Sequence, residues 1–258
     1  MLAHVPLGCV EPAVPGATLE EKLRELESRA MWLELANDGK RKLDDIIDAL
    51  SSHRTSIASV QAYRLHDLNM LSRQEEERKA AVRHAEETIR MAAAIGAENV
   101  VTTIVYGEPS VENPQKKCVE VFRKLGRLGE ELSVTVSIEP LGRDRTTFLP
   151  GVADVRSLIR DVGSKNVCLM ADTMHVHDNG DDIVEVVGEY IEEISELQLR
   201  DTGSRPPGRG SIDFVSVLRM ARRRFKGLLC LEYQPGPDPM ADFNHACMFV
   251  SGVISAAR

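Results

Sequence analysis

Short runs of apolar residues alternate with helix-like segments along the chain, and this alternation constrains the fold more than any other feature. Eight runs have the length and continuous hydrophobicity of parallel strands that are covered on both faces. The predicted strands are Ala3–Val10, Met31–Leu35, Ser56–Gln61, Asn99–Ile104, Val134–Glu139, Val167–Asp172, Ile194–Leu199 and Leu228–Glu232. Strand–helix repeats imply right-handed crossovers and a parallel sheet, and eight of them favour a closed (β/α)8 barrel. An open, doubly wound sheet is the alternative that the pattern allows.

Helical patterns fill the intervals between the predicted strands. Thr18 precedes the first of them, and Glu21 follows three residues later, a spacing that predicts a capping box. The longest segment, Gln74–Ala94, stops before Gly96, a residue suited to terminate a helix. The other predicted helices are Asn113–Glu131, Val152–Val162, Asp181–Tyr190, Phe214–Arg224 and Met240–Ala256. No linker-like stretch interrupts the series, so the sequence predicts one domain over residues 1–258.

Composition excludes several classes of protein. A length of 258 residues suits one barrel, which typically needs about 250. The net charge of −8, without a basic stripe, argues against nucleic-acid binding. Five cysteines without CxxC spacing indicate free thiols in a reducing compartment. With no signal-peptide pattern and no apolar stretch near about 18 residues, we expect a cytoplasmic protein without a membrane segment. The oligomeric state stays open, and a homo-oligomer is compatible with the sequence.

Four polar residues lie where predicted strands end: Glu139, Asp172, Gln198 and Glu232. They are 33, 26 and 34 residues apart, the interval of one strand–helix–strand unit. Because strand ends meet at one mouth of a β/α barrel, we expect these side chains to lie close together. A divalent cation would relieve the repulsion among three carboxylates, with the Gln198 carbonyl oxygen as a fourth ligand. An oxygen-only set favours Mn²⁺ or Mg²⁺, with Co²⁺ or Zn²⁺ as alternatives.

Each of these residues also has an ordinary structural explanation. A single Glu after a strand is usually solvated in a loop. Asp172 could cap the turn that follows it, and Gln198 could be a paired polar residue inside the barrel. The predicted metal site therefore depends on the coincidence of four strand ends.

Further residues are candidates for contacting a substrate. His175, after the sixth strand, is expected to bond a substrate hydroxyl or carbonyl, whereas His177 is expected to stay solvated. Arg205 lies in a Gly/Pro-rich loop after the seventh strand, where it could anchor an anionic group. His66 follows the third strand and lies either at the mouth or in a surface loop. Glu34 lies in the second strand and could point into the mouth.

The segments around these strand ends resemble motifs of the xylose isomerase-like superfamily of sugar isomerases and epimerases. Ser137-Ile-Glu-Pro-Leu141 is similar to the fifth-strand motif, and Val167–His175, with its Asp-Thr-Met-His ending, to the sixth. Leu197–Asp201, followed by the Pro-Gly-x-Gly-x-Ile-Asp-Phe loop that ends at Phe214, resembles the seventh strand and its loop. Leu229–Tyr233 is similar to the eighth. The resemblance runs over most of the chain and implies a single (β/α)8 TIM barrel.

The resemblance also implies a set of functional residues. Glu139, Asp172, Glu232 and the seventh-strand residue Gln198 would bind one divalent metal ion. Glu139 and Glu232 would also move protons, and His175 would contact the substrate.

Two positions depart from the commonest family pattern. The seventh-strand ligand is most often His, and Gln198 resembles instead the hydroxypyruvate isomerases of the superfamily. Several ketose epimerases carry an Arg six residues after this ligand, where this chain has Ser204, with Arg205 one residue later. The substrate class implied by the resemblance is correspondingly broad.

The leading functional hypothesis is a divalent-metal-dependent isomerase or epimerase of a small polyhydroxy carbonyl compound. It would abstract a proton next to the carbonyl and form a metal-stabilised enediolate. One alternative is a metal-dependent dehydratase of a cyclic hydroxy acid on the same barrel. Another is an endonuclease IV-like phosphodiesterase, which would need further metal ligands and a basic face that the sequence lacks. A non-catalytic accessory barrel that retains the ligands is the last alternative.

Overall fold

Eight parallel strands form a closed barrel in sequence order, and pairing of the first strand with the eighth closes it. The computed structural model describes residues 7–256, apart from the side chains of residues 222 and 223. The strands are β1 (Leu7–Val10), β2 (Trp32–Ala36), β3 (Ile57–Gln61), β4 (Asn99–Thr103), β5 (Thr135–Glu139), β6 (Val167–Asp172), β7 (Ile194–Leu199) and β8 (Leu228–Leu231). The predicted (β/α)8 barrel is confirmed and the open sheet is excluded. Residues 3–6 of the predicted first strand lie outside the described part of the chain.

The helices surround the barrel. They are α1 (Leu19–Glu27), α2 (Leu43–Ser51), α3 (Glu75–Ile95), α4 (Pro114–Leu132), α5 (Val152–Val162), α6 (Thr173–Asp178), α7 (Ile183–Tyr190), α8 (Phe214–Arg224) and α9 (Pro239–Ala256). Two of them, α2 and α6, were not predicted. The residue before α2, Lys42, makes no side-chain cap hydrogen bond, so α2 lacks the N-terminal signal that marks α1. No helix between residues 7 and 256 is long and apolar enough to cross a membrane.

Helix ends follow the predicted signals. At α1, the Glu21 N–H donates to Thr18 Oγ1 at 3.2 Å and the Thr18 N–H donates to Glu21 Oε2 at 3.4 Å, which confirms the capping box. Gly96 terminates α3 with a φ of 76°, a conformation that favours glycine. The predicted ends of this helix are therefore right to within one residue.

Large apolar side chains pack against the sheet. The large side chains of Phe122, Phe214 and Phe243 are fully buried on the helices that pack around it. On the first two strands, Gly8 pairs with Trp32, and the indole fills the space where a Cβ at Gly8 would lie. The close approach of this ring requires glycine at position 8.

Strand register determines which side chains become neighbours at the mouth. Asp172 of β6 pairs with Gln198 of β7, and Gln198 pairs with Cys230 of β8. Glu232 follows two residues after Cys230, and therefore lies higher than Gln198 at the carboxyl end of the barrel. The four predicted ligand positions thus occupy adjacent strands at two heights.

Candidate active site

Three carboxylates lie together at the mouth. Glu139 ends β5, Asp172 ends β6, and Glu232 directly follows β8. Glu139 and Asp172 are buried, and the Glu232 side chain is 16% exposed. Ligand atoms of Glu139, Asp172 and His175 all lie within 4.8 Å of one another. Ring closure therefore gathers side chains that are far apart in sequence, as the strand-end pattern predicted.

Asp172 divides its two oxygens between two tasks. Its Oδ1 accepts hydrogen bonds from the backbone N–H groups of Met174 (2.7 Å) and His175 (3.1 Å), and so caps α6. Its Oδ2 lies 2.6 Å from Nη2 of Arg200. The capping explanation considered for Asp172 is therefore correct for one oxygen, while the other oxygen belongs to the site.

Arg200 lies among the carboxylates, although it was not among the predicted site residues. Its Nη1 is 3.1 Å from Glu232 Oε1, and its Nη2 donates to His175 Nε2 at 2.8 Å. Its backbone is fixed by Thr173, whose Oγ1 donates to the Arg200 carbonyl at 2.8 Å and accepts from the Arg200 N–H at 2.9 Å. We call Glu139, Asp172, His175, Arg200 and Glu232 the mouth cluster.

A sequence signal for Arg200 existed. Side chains alternate along a strand, so residues two apart face the same way. Gln198 points into the barrel, and the same alternation, continued one residue beyond Leu199, places Arg200 on the same face nearer the mouth. Extending the strand period past its last apolar residue would have found this arginine.

Burial and mutual repulsion shift the ionisation of the mouth cluster. Burial raises the pKa of Glu139 well above its usual range, and the charges of Glu232 and Asp172 raise it further. Burial also raises the pKa of Glu232 to about 7, although Arg200 acts in the opposite direction. Burial alone would lower the pKa of Arg200, but Asp172 and Glu232 outweigh it and the pKa is raised. The guanidinium is therefore a fixed positive charge within the cluster.

His175 is neutral at neutral pH, because burial lowers its pKa to about 4. Its Nε2 accepts from Arg200, so the ring proton is assigned to Nδ1, which is buried and has no hydrogen-bond partner among the described residues. The 3.5 Å between Nε2 and Glu139 Oε1 is too long for a hydrogen bond. His177 is exposed, as expected.

A second polar group lies deeper in the barrel. The Gln198 Nε2 amide is 3.1 Å from each carboxylate oxygen of Glu34, to which it donates. Asn99 donates from Nδ2 to Glu196 Oε2 at 2.8 Å and accepts at Oδ1 from Ser137 Oγ at 2.5 Å. We call these five residues the interior layer. Glu34, a candidate for substrate contact, is 1% exposed and its observed partner is Gln198; substrate contact by Glu34 stays a prediction.

The interior layer carries two carboxyl groups and no arginine or lysine partner in the described structure. Burial raises the pKa of Glu34 well above its usual range, and the neighbouring Glu196 raises it further. Ligand atoms of Glu34, Glu196 and Cys230 lie within 4.8 Å of one another. Glu34 therefore keeps its proton at a pH where a solvated carboxyl would lose it, and this removes one of two buried charges.

His66 lies on the loop after β3, at the same end of the barrel. Its half-buried ring contacts Tyr63 and Tyr106 edge to face, with centroid distances of 4.6 and 5.0 Å. Burial lowers the pKa of His66, so this ring is also mainly neutral at neutral pH. An aromatic wall of this kind suits the apolar face of a small ligand, and substrate contact by His66 stays a prediction.

Arg205 lies on the exposed part of the loop after β7. Its Nε donates to the Thr202 carbonyl at 3.1 Å and its Nη1 to the Arg209 carbonyl at 3.0 Å. It forms no ion pair with any carboxylate between residues 7 and 256. Its predicted role as an anchor for an anionic substrate stays a prediction, and the arginine that contacts the mouth carboxylates is Arg200.

The donor set fits a divalent cation. Two buried oxygens, Gln198 Oε1 and Glu232 Oε2, have no hydrogen-bond partner within the described residues, and Asp172 Oδ2 has the ion-pair contact with Arg200. Together with the Glu139 carboxylate they provide only oxygen ligands, the set that Mg²⁺ and Mn²⁺ prefer. No additional group of three or more His, Cys, Asp or Glu ligands accompanies it at the mouth in the described structure.

The family assignment agrees with this geometry. Residues 21–248 match a family model described as the xylose isomerase-like TIM barrel. The chain belongs to this family. The resemblance inferred from the strand-end motifs is thereby confirmed.

The relatives of this xylose isomerase-like barrel include sugar isomerases and epimerases. The chain is 28% identical over 123 residues to a provisionally named hydroxypyruvate isomerase of Streptomyces coelicolor, covering 45% of this chain and 44% of that protein. The 3-keto-D-glucoside 4-epimerase of Escherichia coli has a TM-score of 0.87 at 18% identity, covering 96% of this chain and 100% of that one. IolI, crystallised with a bound zinc atom, has a TM-score of 0.78 at 17% identity, covering 98% and 99%. At these identities the structural likeness establishes the fold.

Proposed function

We propose that this chain is a divalent-metal-dependent isomerase or epimerase of a small sugar or hydroxy-keto compound. The observation that carries the proposal is the pair of glutamates, Glu139 and Glu232, that enter one mouth from β5 and from the end of β8 beside a fixed cation. Two carboxylates on separate strands can reach a substrate carbon from different sides, which is what removal and return of a proton require. The isomerases and epimerases among its relatives support the same reaction class.

The ligands proposed for the metal ion are Glu139, Asp172, Gln198 and Glu232. When bound, the ion would supply Lewis-acid polarisation of a substrate carbonyl. Mn²⁺ or Mg²⁺ suits the oxygen-only set best, and Co²⁺ or Zn²⁺ is the alternative, with the zinc in IolI as support.

The protein's own groups have separable roles in the reaction. One of Glu139 and Glu232 removes the proton beside the carbonyl, and the other returns it. Neutral His175 carries a free Nδ1–H that can donate to a substrate hydroxyl or carbonyl oxygen. The guanidinium of Arg200 offsets negative charge that develops on substrate oxygens. The aromatic wall around His66 limits access of water to one side of the mouth.

The proposed function is tested by measuring exchange of substrate protons with solvent, because substrate binding alone would not show the reaction. A panel of small ketoses and hydroxy-keto acids is incubated with metal-loaded protein in deuterated water, and deuterium incorporation next to the carbonyl is followed together with product mass. Glu139→Gln and Glu232→Gln are expected to reduce turnover and exchange at least about 100-fold while the protein stays folded. Glu131→Gln, on the exposed surface of α4, is the matched control and should leave both unchanged.

Two outcomes contradict the proposal. Full activity in both glutamate variants would remove their roles in proton transfer. A product lighter by one water would identify a dehydratase on the same barrel instead.

A further inference from the structure

Arg200 occupies the space that the proposed metal ion needs. Its guanidinium contacts Asp172 Oδ2 at 2.6 Å and Glu232 Oε1 at 3.1 Å, and both residues are proposed ligands. Asp172 has no second oxygen to offer, since its Oδ1 caps α6 through Met174 and His175. The single oxygen of Asp172 that can bind a metal ion is therefore the one that Arg200 already contacts.

We propose that Arg200 is an internal competitor of the metal ion, holding the metal-free carboxylates together and setting how tightly a divalent cation binds. The inference rests on the proposed metal-dependent function. It adds a residue outside the ligand set that regulates occupancy of the site.

The charge balance supports this role. Glu139, Asp172 and Glu232 would carry three negative charges when ionised, and burial of such a group is unfavourable without a cation. Arg200 is 7% exposed and supplies one positive charge in contact with two of the three carboxylates, Asp172 and Glu232. A divalent ion entering the group meets the repulsion of this guanidinium at close range, in surroundings with little water to screen it.

The guanidinium also has a contact that does not depend on the carboxylates. Its Nη2 already donates to the neutral His175 Nε2 at 2.8 Å, and its Nε is buried without a hydrogen-bond partner among the described residues. Arg200 can keep the contact with His175 while giving up Asp172 and Glu232. Competition thus requires a rotation of one side chain and no change of the strands.

The direct experiment measures Mn²⁺ binding by electron paramagnetic resonance, which counts free Mn²⁺, for the wild type, Arg200→Ala and Arg209→Ala. Arg209 lies on the exposed part of the same loop, so its substitution makes the same change in net charge away from the mouth cluster. We expect Arg200→Ala to bind Mn²⁺ at least about tenfold more tightly than the wild type. Arg209→Ala should match the wild type. Binding by Arg200→Ala alone, with none by the wild type, would support the same conclusion.

A chemical-rescue arm separates competition from a general structural effect. The space left in Arg200→Ala can accept a free guanidinium ion, so low-millimolar guanidinium should weaken Mn²⁺ binding by this variant and leave the wild type unchanged. Arg200→Lys keeps the positive charge, and it provides a second variant in case Arg200→Ala does not fold. Its Mn²⁺ affinity should lie between those of the other two proteins, because an ammonium contacts fewer carboxylate oxygens at once.

The failing outcomes are distinct. If the wild type binds Mn²⁺ and Arg200→Ala binds it equally or more weakly, Arg200 is no competitor and the proposed function stands. If neither protein binds Mn²⁺, the metal site and the inference both fail.

Discussion

Two acidic groups lie one above the other in this barrel, and they compensate their buried charge differently. In the mouth cluster, Asp172 and Glu232 contact the guanidinium of Arg200. In the interior layer, Glu34 and Glu196 receive hydrogen bonds from the amides of Gln198 and Asn99. Isolated buried charges are too costly to keep, so each group must pair its charge or protonate. The mouth cluster pairs two of its carboxylates with the Arg200 guanidinium, whereas the interior layer has no such cation among the described residues and keeps Glu34 protonated.

Among these substitutions, Asp172→Asn in the mouth cluster should cause the largest loss of stability. The substitution keeps the cap of α6 but turns an amide toward Arg200, which leaves the buried guanidinium without one of its two carboxylate partners. We expect the free energy of unfolding to fall by about 3 kcal/mol, measured by urea denaturation in metal-free buffer. Asp182 caps α7 in the same way, through Val184 (2.8 Å) and Glu185 (3.1 Å), but it is exposed. Asp182→Asn is therefore the control. Equal losses in the two variants would show that the contact with Arg200 has no weight.

Removal of the Glu34 carboxyl group should have a smaller effect. Glu34→Ala leaves the Gln198 Nε2 amide buried without an acceptor and opens a small cavity. The expected loss is about 2 kcal/mol, measured in the same urea titration. A loss as large as that of Asp172→Asn would mean that the interior layer also depends on a retained charge.

The isosteric change Glu34→Gln sharpens the comparison further. The new carbonyl can accept from Gln198 and the new NH₂ group can donate to Glu196. One of the two 3.1 Å contacts between Gln198 Nε2 and residue 34 is lost, but the Gln198 amide keeps an acceptor and one acid is removed. We expect a change of at most about 1 kcal/mol, in the stabilising direction. The same amide substitution is thus harmful in the mouth cluster and harmless below it. A clear loss in Glu34→Gln would overturn the protonated state assigned to Glu34.

His84 lies outside both the mouth cluster and the interior layer, but it also makes the free energy of unfolding depend on pH. Its contribution must be subtracted before the two groups are compared at different pH values. Burial lowers the pKa of His84 to about 4, with Arg64 acting in the same direction and Asp38 against it. An unfolded histidine titrates near 6.5, so the unfolded chain takes up the proton first and stability falls as the pH falls. Between pH 7 and 6 this contribution is at most about 0.7 kcal/mol. His84→Gln should remove it from urea titrations at the two pH values. An unchanged pH dependence in this variant would assign the loss to another group.

The fold could be predicted because its determinants are local. Each strand is a short apolar run, and each predicted boundary reflects the nearby sequence. The structure adds α2 and α6, whose starts carry weak or unusual signals: Lys42 provides no cap for α2, and the cap of α6 is a site residue, Asp172. Asp172 was predicted as a metal ligand or, alternatively, as the cap of a turn, and the helix that it caps could not be inferred from its position alone.

The site could be predicted only in part. The positions of Glu139, Asp172 and Glu232 follow from closure of the barrel, so the sequence was sufficient to predict that these side chains lie close together. The partners of these residues depend on side-chain geometry. The contacts of Arg200 with Asp172 and Glu232 have no signature in sequence spacing. Glu196 was included in an apolar strand run, and its donor Asn99 is 97 residues away.

The single tryptophan of the chain makes these experiments practical without any label. Trp32 is 4% exposed, packs over Gly8 and lies two residues from Glu34 on the same strand, so both side chains point to the same face. Its fluorescence should shift to longer wavelength when water reaches the barrel. The protein therefore carries its own optical reporter of barrel opening, next to the layer whose protonation is in question.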